Sequence, residues 1–221
     1  AIVRLGPDDQ VLLLVVHHLV ADGWSMSVLF RDLAALYAAA TGGAAAPLPA
    51  LALQYADYAV WQRERLAGPA LAAGLAHFRD RLAGAPDVLA LPTDRPRPAE
   101  QTFRGSRHSR PLDAALTAAI ASTARALGAT PFQLLLTAFQ WLLARWSGQA
   151  DVVVGTPVAG RPRVELEDVV GFFANTLAIR TTFAAGDSFA AALRRVRDGV
   201  LADLAHQDLP FEELVRVLRP P

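Results

Sequence analysis

The sequence predicts an α/β or α+β fold, and three observations carry that prediction. β-branched apolar runs alternate with segments whose apolar residues recur at helical spacing, from one end of the chain to the other. Gly and Pro punctuation separates these segments. The chain is 221 residues long and 53% hydrophobic, enough to build the core of one large domain or two small ones.

Taken in order, Ile2 to Leu5 and Gln10 to Val16 read as strands joined by a Gly6-Pro7-Asp8-Asp9 turn. The run Val11 to Val16 is apolar throughout, which predicts a strand buried on both faces. From Met26 the apolar residues fall at Leu29, Phe30, Leu33, Leu36 and Tyr37, one face of a helix running to about Ala40 and stopped by Gly42-Gly43. Ala44 to Ala50, with Pro47 and Pro49, reads as a loop. Helices follow over about Leu53 to Leu66 and Ala70 to Leu82, the second ending at Gly84. The aromatic residues Tyr55, Tyr58 and Trp61 in the first of these read as a packing face.

Leu89 to Glu100 then carries Pro92, Pro96 and Pro98 among charges, an extended connector and the best domain boundary in the chain. Arg104 to Pro111 is expected to form a strand. Asp113 to Leu127 reads as a helix closed by Gly128, and Thr130-Pro131 opens another that reaches Trp146. Asp151 to Val158 and Asn175 to Phe183 are β-branched strands separated by a Gly160-Arg161-Pro162 turn. Asp187 or Ser188 caps a helix to about Leu204, and His206 to Glu212 opens a short helix ending near Arg219.

Composition excludes several classes of function. Formal net charge is zero, which argues against a general nucleic-acid binder. There is no cysteine, so neither a disulfide nor a cysteine metal site is expected, and the five histidines show no metal-ligand spacing. No apolar run is long enough to span a bilayer, so a cytoplasmic protein without membrane contact is expected. No phosphate loop, dinucleotide fingerprint or Gly-x-Ser-x-Gly elbow occurs. All 21 basic residues are arginine and alanine is abundant, the bias expected of a GC-rich bacterial coding sequence. The chain starts inside a predicted strand and stops after a helical segment, as expected of a piece of a longer polypeptide.

The one concentrated chemical signal is His17-His18-Leu19-Val20-Ala21-Asp22-Gly23-Trp24-Ser25. Two histidines leave an apolar strand, and an aspartate and a glycine precede a helix. Strand ends of this kind are where α/β proteins place their chemistry. Neutral imidazole can take a proton from an amine or hydroxyl as it attacks an acyl group. Adjacent strand residues point to opposite faces, so only one of the two histidines can face a given cavity. Each residue also has a structural reading. A histidine here can be a hydrogen-bonded core residue, Asp22 and Ser25 can serve as helix caps, and Gly23 can supply a turn dihedral. Asp22 suits a supporting role, pairing with an arginine, better than proton transfer.

The same nine residues resemble the His-His-x-x-x-Asp-Gly signature of the condensation domains of nonribosomal peptide synthetases, relatives of chloramphenicol acetyltransferase. The resemblance continues in order through Tyr55 to Gln62, Val154 to Arg161, Val170 to Leu177 and His206 to Glu212. It implies a two-layer α+β sandwich of the chloramphenicol acetyltransferase type, in two lobes forming a V. Residues 1–92 would be the end of the first lobe and 93–221 most of the second, with the domain incomplete at both ends. It also implies a reaction that joins an acyl or peptidyl thioester on one carrier protein to the amine of an aminoacyl group on another. His18 would lie at its centre, as general base or as the group that positions the amine. His17, Asp22 and Gly23 would support the site, with Arg161 as the ionic partner of Asp22. Trp24, Ser25 and Asn175 would line it.

No cofactor would be bound directly. The substrates would ride on the phosphopantetheine of donor and acceptor peptidyl carrier domains, with an adenylation domain in the same polypeptide. Intact His17-His18 argues against the heterocyclising subtype, Trp24 argues against the epimerising one, and Val20-Ala21 leans towards an L-configured donor. The isolated 221 residues are expected to be inactive. Two other readings are a stand-alone acyltransferase using a soluble thioester and a non-catalytic recruiting domain of the same fold.

Overall fold

The computed structural model describes residues 1–43, 48, 50–96 and 98–219. Most of the loop expected over Ala44 to Ala50 therefore lies outside the described residues, as do Arg97 of the connector and the closing Pro220-Pro221. Four strands and seven α-helices follow one another among the described residues: β1 (Ile2–Arg4), β2 (Gln10–Leu12), α1 (Gly23–Ala40), α2 (Tyr55–Leu66), α3 (Pro69–Leu82), α4 (Ala114–Ala126), α5 (Pro131–Ser147), β3 (Asp151–Val158), β4 (Asn175–Thr182), α6 (Phe189–Leu204) and α7 (Phe211–Leu218). Among the described residues, no single helix is long and apolar enough to cross a membrane.

By its contacts the chain divides into two compact units, Ala1–Ala72 with Pro157–Asn175 and Ala73–Thr156 with Thr176–Pro221. This division does not fall at the proline-rich connector. A segment near residue 165 joins the first unit because its backbone and Arg161 are bonded to the start of α1, as described below.

In the first unit, β1 and β2 form an antiparallel hairpin in the register Ile2↔Leu12, Val3↔Val11 and Arg4↔Gln10. Its turn is closed by the Leu5 and Gly6 N–H groups on the Asp9 carbonyl at 2.8 and 3.1 Å. Two sequence expectations fail here. The second strand stops at Leu12 instead of reaching Val16, and it is exposed instead of buried, with Val15 83% accessible. The reason is that the sheet has only these two strands and nothing described covers either face. The predicted apolar face of α1 is likewise covered only near its start: Val28 is buried, but Leu36 and Tyr37 are exposed. The core of this unit lies elsewhere, where Leu166, Val169 and Phe173 pack on Leu53, Tyr55 and Tyr58. The aromatic face expected of α2 is what they pack against.

In the second unit, α5 starts as Thr130-Pro131 predict, and Asp113, read from sequence as the first residue of α4, is its N-cap. Asp113 accepts from the Leu116 N–H, and Thr130 with Gln133 forms a capping box ahead of Pro131. Gly128 closes α4 at φ +64°. Ser188, not Asp187, caps α6. Asp187 instead pairs with Arg195 at 2.8 Å, and that bond first, then the Ala184 N–H, holds its carboxyl down at about 2. One core cluster gathers Leu143, Val152, Phe183 and Ala192, and a second gathers Ala124, Leu134 and Leu193. Gln140, fully buried, is satisfied by the Ile179 carbonyl and the Thr181 hydroxyl. The strand expected over Arg104 to Pro111 does not form. That stretch is exposed, and no described strand lies beside it to take up its backbone bonds.

Candidate active site

Asp22 is the residue around which the first unit is tied. Its own dihedrals are extended, and its Oδ1 accepts from the Ser25 N–H at 2.8 Å, so it is the N-cap of α1. The same carboxylate reaches far along the chain. Oδ1 also accepts from Arg161 Nη2 at 3.2 Å, and Oδ2 accepts from the Phe173 N–H at 3.0 Å. The Asp22 N–H donates to the Gly171 carbonyl at 3.2 Å. Burial pushes the Asp22 carboxyl up, but the Ser25 N–H and hydroxyl, the Phe173 N–H and the Arg161 charge outweigh it and hold it below its ordinary 3.8.

Ser25 is wholly buried and works as a hub, not as a lining residue. Its Oγ stands 2.8 Å from both Asp22 Oδ1 and the Gly171 carbonyl, with one proton to donate between them. It accepts from Arg161 Nη2 at 2.9 Å and from the Gly171 N–H at 3.0 Å. Arg161, 1% exposed, sends Nη1 to the carbonyls of Leu166 and Val169. Its guanidinium lies 4.0 Å from the centre of the Phe173 ring and 5.9 Å from that of Trp24. Trp24, nearly half exposed, donates its indole N–H to the Glu167 carbonyl at 2.8 Å.

Two glycines permit this close packing. Gly160 sits at φ +64°, and a Cβ there would fall 1.9 Å from the Phe173 carbonyl oxygen. A Cβ on Gly171 would fall 2.2 Å from the Tyr55 ring. Gly23 has no such duty. It is the first residue of α1, its φ is not positive, and a Cβ would meet nothing within 4 Å, so the expected turn dihedral is not its role.

The two histidines lie in the turn before Asp22, outside the strand, and both are exposed. His17 Nδ1 accepts the Leu19 N–H at 3.0 Å, which folds the turn on itself. His18 makes no hydrogen bond among the described residues, and its ring stands perpendicular to Phe172 at 5.1 Å. Asn175, half-buried, opens β4. The structure thus brings Asp22, Ser25, Arg161 and Trp24 together, with His18 four residues upstream of the knot. Sequence reasoning missed Tyr55, whose hydroxyl donates to the Phe172 carbonyl at 2.8 Å, and it missed Phe172 itself. The glycine at 171 was the available signal, since a glycine between apolar residues marks a close approach. Among the described residues, no group of His, Asp and Glu side chains could hold a metal ion.

What remains is an unbonded imidazole on an exposed turn anchored to a buried ion pair, suited to proton transfer or to holding an amine. Comparison with known proteins bears on that chemistry. The model of the condensation domain matches residues 1–221. The phosphinothricin tripeptide synthetase PhsC of Streptomyces viridochromogenes is 52% identical over 214 residues, covering 97% of this chain and 20% of that protein. The X-domain of teicoplanin biosynthesis, solved in complex with OxyB, is 36% identical with a TM-score of 0.81, over 93% of this chain and 46% of that one. The first condensation domain of the CDA synthetase is 28% identical with a TM-score of 0.76, over 92% of this chain and 44% of that one. The chain therefore spans about a fifth of that curated relative and under half of each of these two solved chains.

Proposed function

The chain belongs to the condensation-domain family, and from that premise we propose that it carries the reaction centre of an amide-forming condensation domain in a nonribosomal peptide synthetase. The observation that carries the reading is His18: an imidazole without a hydrogen-bond partner among the described residues, on a turn tied down by the buried Asp22–Arg161 pair. In the reaction the acceptor amine attacks the donor thioester carbonyl, the C–N bond forms and the C–S bond breaks. The amine loses a proton, and the departing thiolate gains one. His18 takes that proton or holds the amine in line. His17, Asp22, Ser25 and Arg161 hold the turn. Gly23, with open space where a Cβ would stand, leaves room beside it, and Trp24 and Asn175 line the approach.

The substrates ride on phosphopantetheine arms of donor and acceptor carrier domains, with an adenylation domain in the same cytoplasmic polypeptide. In the complete domain, residues 1–92 belong to the first lobe and 93–221 to the second. A second reading, a domain of this fold that recruits another protein, is favoured by the neighbour solved in complex with OxyB.

The test is the complete condensation domain containing this chain, mixed with an aminoacyl-loaded donor carrier and an aminoacyl-loaded acceptor carrier. Mass spectrometry should find a dipeptidyl thioester on the acceptor and a free thiol on the donor. Both carriers returning unchanged from an intact, folded domain would overturn the catalytic reading in favour of recruitment.

A further inference from the structure

Among the described residues, Phe172 is the one side chain in ring contact with His18, and its backbone is pinned on both sides. Before it, the Gly171 N–H and carbonyl are bonded to Ser25 Oγ and the Asp22 N–H. After it, the Phe173 N–H is bonded to Asp22 Oδ2. Its own carbonyl takes the Tyr55 hydroxyl at 2.8 Å. Tyr55 is held as a neutral donor, since burial and then the Asp22 charge raise its pKa. Its ring fills the place that a side chain on residue 171 would need.

The backbone that carries Phe172 is thus bonded to the same carboxylate that caps α1, four residues beyond His18. We propose that Phe172 is a positioning residue for His18: its ring, carried on backbone that Asp22, Ser25 and Tyr55 hold, fixes the orientation of the imidazole towards the carrier-bound substrates. The inference rests on the reading of His18 given above.

The physical need is plain. An exposed histidine without a hydrogen-bonded ring nitrogen is free to sample several staggered rotamers. An edge-to-face aromatic contact at 5.1 Å selects among them and shields one side of the ring from water. Because proton transfer and amine attack demand registry, a loosely held imidazole loses rate without losing substrate affinity. This also gives Tyr55 a task beyond packing: it holds the carbonyl from which Phe172 projects.

The experiment uses the complete domain with both loaded carriers. Phe172→Leu is expected to lower the single-turnover rate by about 10- to 100-fold. The KM for the donor carrier and the melting temperature should stay unchanged. Phe172→Tyr, which keeps the ring, should restore a rate close to wild type. Tyr55→Phe, which removes only the hydroxyl, should lower the same rate by about two- to tenfold. If Phe172→Leu loses its fold, Tyr55→Phe carries the decision.

His18→Ala is run beside them. Wild-type turnover in His18→Ala overturns the assignment of His18 itself. An inactive His18→Ala together with wild-type rates in Phe172→Leu and Tyr55→Phe overturns the positioning role alone. A rise in KM at constant single-turnover rate also overturns it, by making Phe172 a substrate contact.

Discussion

Arg161 Nη2 stands 3.2 Å from Asp22 Oδ1 across 139 residues of chain, with the two side chains only 1% and 3% exposed. A pair so far from water is costly to break, because the surviving charge has no solvent to turn to. The carboxylate is at once helix cap, ion-pair partner and acceptor for the Phe173 N–H.

Asp22→Asn is therefore expected to destabilise the complete domain by ~3–5 kcal/mol. Asparagine caps a helix nearly as well as aspartate, so a cap alone would leave stability almost unchanged. Urea unfolding of the two proteins distinguishes these outcomes, and an unchanged midpoint would remove the ion pair from the account.

Acid should loosen the same unit. The folded carboxyl of Asp22 titrates below 3.8, its ordinary value. The stabilisation it supplies is thus complete above that value and is lost as pH falls through the lower, folded value. Melting temperature followed from pH 6 to pH 2 should drop at the acid end, and Asp22→Asn should show less of that drop than wild type.

The two histidines should separate. His18→Ala in the complete domain should lower the rate by ~10²–10⁴ with the fold retained. His17, whose Nδ1 receives the Leu19 N–H, should act through the turn, so His17→Ala is expected to shift the melting temperature as well as activity. Single-turnover assays beside thermal melts check both statements.

Gly160→Ala is expected to destabilise by ~1–3 kcal/mol or more, since it combines a positive φ with a Cβ driven into the Phe173 carbonyl. Gly23→Ala, with open space around it, should leave stability nearly unchanged. A loss of turnover in Gly23→Ala without a change in melting temperature would place substrate, not protein, beside that position.

The 221 residues alone should not turn over carrier-bound substrates. They cover under half of the two solved chains compared above, and the apolar hairpin β1–β2 and the outer face of α1 lie uncovered. Exposed strand edges of this kind favour association. Expression followed by light scattering and a carrier assay checks this, and a soluble, active monomer would contradict it.

Local chemistry in the sequence determined much of this protein. Helix limits followed from caps that act within three residues: Asp22 before α1, Asp113 before α4, Thr130-Pro131 before α5. Apart from the strand expected over Arg104 to Pro111, the order of strands and helices was legible for the same reason, as were the aromatic face of α2 and the ordered motifs that mark a condensation domain, since each is carried by contiguous residues. Asp22 and Arg161 were named as partners from resemblance, whereas the sequence shows nothing of the distance between them.

Only the tertiary structure decided the rest. An apolar run such as Val11 to Val16 states a capacity for burial, but whether neighbours cover it depends on chain elsewhere, and here the described residues leave Val11 to Val15 exposed. Ser25 as a hub, Tyr55 on the Phe172 carbonyl and Phe172 against His18 were also out of reach. Their partners are backbone groups and rings more than a hundred residues away, and backbone groups, identical at almost every position, carry no signature in a sequence.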